Sequence, residues 1–182
     1  MPPLDQDAMS DSQRDAAREI ATGRRGAVYG PFVPALRSPE FARRLQRLGE
    51  YLRYDSALDP RLREMVILLT AREWTQDFEW DVHAPAAVDA GLAAATIEAI
   101  ADGRRPHAMR EDEALVWDVI VELRNTHTLS DPTYDRSVGA FGEHGLIDLI
   151  GTIGYYATLA MIMNVARTPL PGGRTAVLRR LP

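Results

Sequence analysis

Residues typical of helix starts and helix ends recur along this chain, and no segment alternates apolar and polar residues as a β-strand does. Ser38-Pro39-Glu40 combines an N-cap residue, a proline at the first helical position and an acid in the first turn. Asp59-Pro60 repeats this start signal, and glycines follow several of the helical segments, as is typical of left-handed caps. The sequence therefore predicts an all-α protein.

The helical segments follow one another without an internal repeat or a linker that would divide the chain. We therefore expect a single domain over residues 1–182, with residues 1–9 as a flexible tail. Near the C-terminus, a helix over residues 132–141 should end at Gly142, and a long apolar helix should follow over residues 143–166.

Charge and cysteine content exclude several classes of function. The formal net charge is −5 and acidic residues are interleaved with the arginines, so no nucleic-acid partner is expected. The chain contains no cysteine, which rules out disulfides, zinc–thiolate sites and thiol nucleophiles.

The apolar tract Leu146–Ala166 is predicted to be a buried core helix rather than a membrane span. Asp148, Gly151, Gly154 and Asn164 interrupt it, which is unusual for a transmembrane segment. The first residues are polar and acidic and lack the basic and apolar regions of a secretory signal. We therefore expect a cytoplasmic protein with no membrane partner.

Two acids and one imidazole form the candidate acid/base group. Glu79 and His83 lie four residues apart, so they share one face of the helix predicted from residue 77 to about residue 91. Glu64 lies among apolar residues of the preceding predicted helix, where an acid is costly unless it is paired. A carboxylate beside a partly buried imidazole can place a pKa near neutrality, where proton transfer is efficient. The same pair also occurs on solvated helix faces that have no function.

The spacing of these residues resembles the core motif of the carboxymuconolactone decarboxylase and alkylhydroperoxidase D-like superfamily. Eleven residues separate Glu64 from Gln76, two separate Gln76 from Glu79, and three separate Glu79 from His83. In the peroxidase branch two cysteines stand at the positions of Gln76 and Glu79, so this chain is similar to the cysteine-free members. The Gly-Tyr-Tyr string at 154–156 agrees with the same superfamily. The resemblance implies a compact bundle of about six to seven helices.

The resemblance also implies a decarboxylase-like enzyme and not a thiol peroxidase, because peroxide reduction in this superfamily needs two thiols. In the decarboxylase branch a lactone acid loses carbon dioxide and the resulting dienolate is protonated. By analogy, His83 would donate the proton or stabilise the oxyanion, Glu79 would orient His83, and Glu64 would relay protons or polarise a water. Two glutamates would repel an anionic substrate, and Arg72 is the nearest compensating cation in the sequence.

Two other functions remain open at this point. The acids could act as bases for proton transfer, hydration or lactone opening on a small carbonyl compound. The protein could instead be a non-catalytic ligand-binding or scaffold relative, in which the glutamates only hold two helices together. No cofactor and no metal ion are expected, because no third ligand has the spacing of a metal site. Five residues are predicted to contact a small-molecule substrate: Arg72, Gln76, Trp80, Tyr155 and Asn164.

Surplus apolar helix surface predicts self-association. The segment 146–166 is apolar nearly all round, and a monomer of this length would have difficulty covering it. The Pro- and Gly-rich segments 24–39 and 168–182 are predicted to pack against a neighbouring subunit. The superfamily commonly forms trimers, hexamers or dimers, so the resemblance implies a homo-oligomer.

Overall fold

The computed structural model describes residues 1–180, which contain helices and no β-strand. The prediction of an all-α fold is confirmed. The predicted domain over residues 1–182 extends two residues beyond the described part. The helices in that part are α1 Asp11–Thr22, α2 Phe32–Ala35, α3 Pro39–Tyr54, α4 Pro60–Glu73, α5 Asp77–Asp89, α6 Ala94–Ala101, α7 Glu111–Thr126 and α8 Asp131–Ala166. The short α2 forms inside the Pro- and Gly-rich segment 24–39.

α4 is the central helix of the bundle. It packs against α5, α6, α7 and α8, and every residue from Arg61 to Arg72 except Arg63 is buried. A helix that is buried on nearly every side must place any polar side chain inside the protein. The position of Glu64 within α4 therefore decides that its carboxylate lies in the interior.

Buried apolar side chains form two clusters, and α4 contributes to both. One cluster includes Leu68 of α4 and Val116 of α7. The other includes Ile67 of α4, Phe32 of α2 and Leu159 of α8. Since each fully buried side chain of this size contributes about 1.5–3 kcal/mol, these contacts hold α4 firmly between its neighbours.

The predicted helix starts are largely borne out. Pro39 and Pro60 lie in the first turns of α3 and α4. The side chain of Asp59 accepts a hydrogen bond from the Arg61 backbone N–H at 3.0 Å, as an N-cap residue does. Ser38 precedes α3, but its side chain makes no capping hydrogen bond.

α8 has a kink at Gly142. The φ of 69° and ψ of 168° at this residue belong to a region that is essentially restricted to glycine. The two parts of α8 correspond to the helices predicted over residues 132–141 and 143–166. The prediction that the first helical run ends at Gly142 is therefore confirmed.

α8 is long and apolar enough, by length and composition alone, to cross a membrane. Half of its most apolar 18-residue window is buried against the rest of the fold, as in a core helix. Asp148 in this part of α8 is buried and accepts hydrogen bonds from the Tyr51 hydroxyl at 2.9 Å and the Ala57 backbone N–H at 2.7 Å. This packing favours the interpretation of α8 as a core helix.

Both terminal segments contact helices of their own chain. Within the first nine residues, predicted to be a flexible tail, Leu4 and Met9 pack against the cluster that contains Phe32. In the C-terminal segment, the Leu178 backbone N–H donates to Oδ1 of Asp77 at 2.9 Å, and the Leu178 side chain is buried. The C-terminal segment, predicted to pack against a neighbouring subunit, thus contacts the start of α5 in its own chain. Its last two residues lie outside the described range.

Candidate active site

Glu64 reaches the interior because it is carried by α4. Its neighbours along this helix are apolar and buried, including Met65, Val66 and Leu68. A carboxylate in such surroundings has no access to bulk water and needs a hydrogen-bonding partner inside the protein. That partner comes from the next helix.

α5 starts directly after a tight turn from α4. Thr75 in this turn has a φ of 46°, which is rare for a β-branched residue. Gln76 caps the helix, since its side-chain oxygen accepts a hydrogen bond from the Phe78 backbone N–H at 2.7 Å. The i, i+4 spacing then places Glu79 and His83 on one face of α5, and α5 continues through Pro85.

The imidazole of His83 lies between two carboxylates. Its Nδ1 is 2.7 Å from Oε2 of Glu64, and its Nε2 is 3.4 Å from Oε2 of Glu79. The exposed fractions are 5% for Glu64, 4% for Glu79 and 3% for His83. The structure thus brings together the three side chains that the sequence predicts to be catalytic. We assign a proton to Nδ1, because the shorter contact is a hydrogen bond to a carboxylate.

Two tyrosines of α8 support the His83 ring. The Tyr156 ring meets it edge-on, with centroids 5.1 Å apart and planes at 89°, and Tyr155 packs on Tyr156 in the same manner at 5.2 Å. Tyr155 fits only because Gly49 of α3 has no side chain, since a Cβ atom at Gly49 would lie 2.0 Å from the Tyr155 hydroxyl oxygen. Tyr155, predicted to contact substrate, thus reaches His83 only through Tyr156.

A small cavity opens beside Glu79 and His83. Its volume is about 20 Å³. A cavity of this size has room for about one water molecule. Glu64 is not part of the wall, so it lies behind His83 as seen from the cavity. Besides Glu79, His83 and Tyr156, the wall includes the polar residues Arg25, Tyr29 and Arg53 and the apolar residues Phe78, Val82 and Leu159.

Burial and nearby charges act in opposite directions on Glu79. Burial raises its pKa, and the protonated form of His83 and the charges of Arg25 and Arg53 oppose this effect without cancelling it. Burial also raises the pKa of the Tyr156 hydroxyl, and the carboxylates of Glu79 and Glu64 act in the same direction. Burial therefore favours the protonated form of Glu79.

Replacing Glu79 with Gln is expected to change how stability depends on pH. Above the ordinary carboxyl pKa of 4.5, and up to the raised pKa of Glu79, the folded protein holds a proton that the unfolded chain has released. The free energy of unfolding of the unmodified protein should therefore fall as pH rises through this window. Glu79→Gln has no carboxyl group to titrate, so its free energy of unfolding should not fall in this window. The free energy of unfolding of the variant should therefore exceed that of the unmodified protein by an amount that grows with pH to about 1–3 kcal/mol, the usual range for a poorly satisfied buried group.

Urea unfolding between pH 4 and pH 8 measures this difference. Glu98→Gln, at an exposed position of α6, is the matched control and should follow the unmodified protein at every pH. Parallel curves for Glu79→Gln and the unmodified protein would show that the pKa of Glu79 is not raised in the fold.

Gln76 and Asn164 bind each other instead of facing the cavity. The Gln76 side-chain N–H donates to Oδ1 of Asn164 at 2.8 Å, and Asn164 donates to the Trp74 carbonyl at 2.9 Å. The Gln76 side-chain oxygen accepts from the Phe78 N–H, and its side-chain nitrogen donates to Asn164. Gln76 therefore connects the turn before α5 to the end of α8. The structure therefore places both residues, predicted as substrate contacts, in the support of the α4–α5 turn.

Two further predicted contact residues also lie away from the cavity wall. Trp80 packs in the cluster that contains Leu68. Arg72 is buried and donates to the Thr75 hydroxyl at 2.9 Å and to the Ala101 carbonyl at 3.4 Å. Arg72 is therefore not placed to compensate an anion beside Glu79.

The sequence did not identify the two arginines on the wall of the cavity. Arg25 belongs to the segment that precedes α2, and Arg53 belongs to the last turn of α3. No motif marks either residue, and only the tertiary fold brings Arg25 and Arg53 to the cavity beside Glu79. Within residues 1–180, no group of three or more His, Asp or Glu side chains has the arrangement of a metal site.

Comparison with known proteins identifies one related family. Residues 39–117 match the family model of the carboxymuconolactone decarboxylase family. The match includes Glu64, Glu79 and His83 but neither Arg25 nor Tyr156. No curated protein and no solved structure matches this chain.

Proposed function

Because residues 39–117 match the model of the carboxymuconolactone decarboxylase family, we propose that this chain is an enzyme that moves protons on a small lactone or carbonyl acid. The observation that supports the proposal is the buried Glu64–His83–Glu79 arrangement, in which Glu79 and His83 line a cavity. Decarboxylation, isomerisation and lactone opening all need such an acid/base pair.

Each side chain has a distinct role in this proposal. Glu64 accepts the Nδ1 proton of His83, orients the ring and stabilises its charged form, as the buried acid of a catalytic triad does. His83 and Glu79 then share a proton through the 3.4 Å contact at Nε2. Protonated Glu79 faces the cavity and donates its proton to the carbon or oxygen that gains charge, and a proton from water then restores the proton shared by Glu79 and His83.

Decarboxylation by this group would need no cofactor. The bond between the carboxyl carbon and the substrate skeleton breaks, its electron pair passes into a dienolate, and carbon dioxide leaves. Glu79 supplies the proton that converts the dienolate into product. Thiol-dependent peroxide reduction is not part of the proposal, because the sequence contains no cysteine.

A non-catalytic ligand-binding or scaffold role is the second candidate. The small volume of the cavity, about 20 Å³, favours it, since the three side chains already satisfy one another and leave little room for a ligand. In that case the glutamates would only hold α4 and α5 together. The two candidates differ in whether any substrate is turned over.

A panel of lactones, β-keto acids and unsaturated acids distinguishes these functions. Consumption of each compound is followed by pH change and absorbance. The enzymatic function predicts turnover of at least one compound, with two inflections in the pH dependence of kcat/KM, one from the acid and one from the base. Absence of turnover across the panel, together with a loss of stability in His83→Asn, would favour the scaffold.

We also propose that the protein forms a cytoplasmic homo-oligomer. Four exposed apolar side chains follow one stripe of α8: Ile147, Ile150, Met161 and Val165. Ile147 is 65% exposed and Val165 is 73% exposed, and a stripe of this kind is usually covered by another protein surface. The occupant we propose is the same stripe of a second copy.

Light scattering on the purified protein measures the oligomeric state. The unmodified protein should be larger than a monomer, and Ile147→Glu combined with Val165→Glu should lower the mass to that of one chain of 20.2 kDa. An unmodified protein that is monomeric at high concentration would contradict the proposal.

A further inference from the structure

Two guanidinium groups on the cavity wall have no role in the proton transfer described above. Arg25 comes from the Pro- and Gly-rich segment before α2 and Arg53 from α3, and both are half-buried. Among residues 1–180, neither forms an ion pair with a carboxylate within 4.0 Å. The positive charges at this wall are therefore not neutralised by direct contact.

Arg25 is held in place by neutral groups. Its Nε donates to Oε1 of Gln46 at 2.7 Å, and its Nη1 is 3.5 Å from the Tyr29 hydroxyl. Its guanidinium carbon lies 4.2 Å from the centre of the Phe32 ring. These contacts fix the orientation of the guanidinium group but leave its charge available to a ligand.

The charge balance at the cavity favours a bound anion. The charges of Arg25 and Arg53 reach Glu79, since both oppose the rise in its pKa. When Glu79 holds its proton, the wall carries the two arginine charges, while the Glu64 carboxylate is shielded behind His83. A planar carboxylate matches the paired N–H groups of a guanidinium, so it is the anion that such a wall best accommodates.

We propose that Arg25 and Arg53 form a carboxylate-binding subsite that holds one carboxylate of the substrate beside Glu79 and His83. The assignment of the ligand as substrate depends on the proposed function, whereas the binding of a carboxylate does not. Arg25 lies outside the residues that match the family model, so the Pro- and Gly-rich segment before α2 adds a specificity determinant to the acid/base group. The subsite also removes the repulsion between an anionic substrate and two glutamates.

Acetate and its neutral isostere acetamide test this subsite directly. NMR titration of the arginine Nε–H signals, at constant ionic strength, measures binding of each compound to the full chain. Acetate should shift the Arg25 signal in a saturable manner at concentrations up to about 50 mM, and acetamide should not, since a millimolar site is largely occupied in that range. Arg25→Gln and Arg53→Gln should each weaken acetate binding by at least about tenfold, the loss expected for one charged contact.

Arg24→Gln is the matched control. Arg24 is adjacent in sequence, exposed, and paired with Asp55 at 3.0 Å, so this variant should bind acetate as the unmodified protein does. Arg25→Lys keeps the charge without the planar fork and should bind acetate with intermediate affinity, which separates recognition from loss of fold.

Three outcomes would overturn the subsite: no saturable acetate binding, equal binding of acetamide, or unchanged acetate binding in both Gln variants. Acetate binding without turnover of any panel compound would retain the subsite and reject the enzymatic function. Turnover without acetate binding would do the reverse.

Discussion

Replacing His83 with Asn is expected to lower kcat on a turned-over panel substrate by about 10²–10⁴-fold, the usual contribution of one positioned acid/base group. The Asn side chain occupies similar space but cannot share a proton with Glu79. Glu79→Gln should have an effect of the same size, because Gln cannot donate an acidic proton to the substrate. Steady-state kinetics that separate kcat from KM provide the measurement.

The double variant gives the sharpest control on this expectation. Since His83 and Glu79 act on one proton, His83→Asn combined with Glu79→Gln should lose little more activity than either single variant. His107→Asn and Glu98→Gln, at exposed positions, should keep kcat within about twofold, as surface changes usually do. A His83→Asn variant that is folded and retains full kcat would remove His83 from the mechanism.

Replacing Glu64 with Ala is expected to lower the free energy of unfolding by about 1–3 kcal/mol, the range for leaving a buried donor without its acceptor. Glu64 provides the acceptor at 2.7 Å from Nδ1 of His83, and no solvent can take its place at a ring that is 3% exposed. Glu64→Gln keeps an acceptor oxygen and should lose only about 0.5–1.5 kcal/mol, the value of an ordinary hydrogen bond.

Urea unfolding and NMR together test the role of Glu64. The unmodified protein should show one imidazole N–H signal that exchanges slowly with water, and Glu64→Ala should abolish it. Glu73→Ala, at the exposed end of the same helix, is the matched control and should leave both the stability and this signal unchanged. Equal stability of the Ala and Gln variants at position 64 would show that the Glu64–His83 hydrogen bond contributes nothing.

The residues predicted as substrate contacts show that motif spacing predicts the position of a residue better than its contacts. Motif spacing placed Gln76 near the acid/base group, and both Gln76 and Asn164 contact the α4–α5 turn in the structure. Their hydrogen bonds to each other and to the backbone are set by the meeting of α5 with the end of α8, which no local pattern encodes. Arg72 likewise points toward α6 because of how α4 is rotated in the bundle.

Helix type, the kink at Gly142 and the pairing of Glu79 with His83 followed from local rules, because capping, glycine conformation and the i, i+4 repeat act over a few residues. Packing alone decided that Glu64 meets Nδ1 of His83, that Glu79 rather than Glu64 faces the cavity, and that Arg25 and Arg53 join its wall. These contacts join segments that are distant along the chain. They depend on the shapes of buried side chains across several helices, which periodicity does not specify.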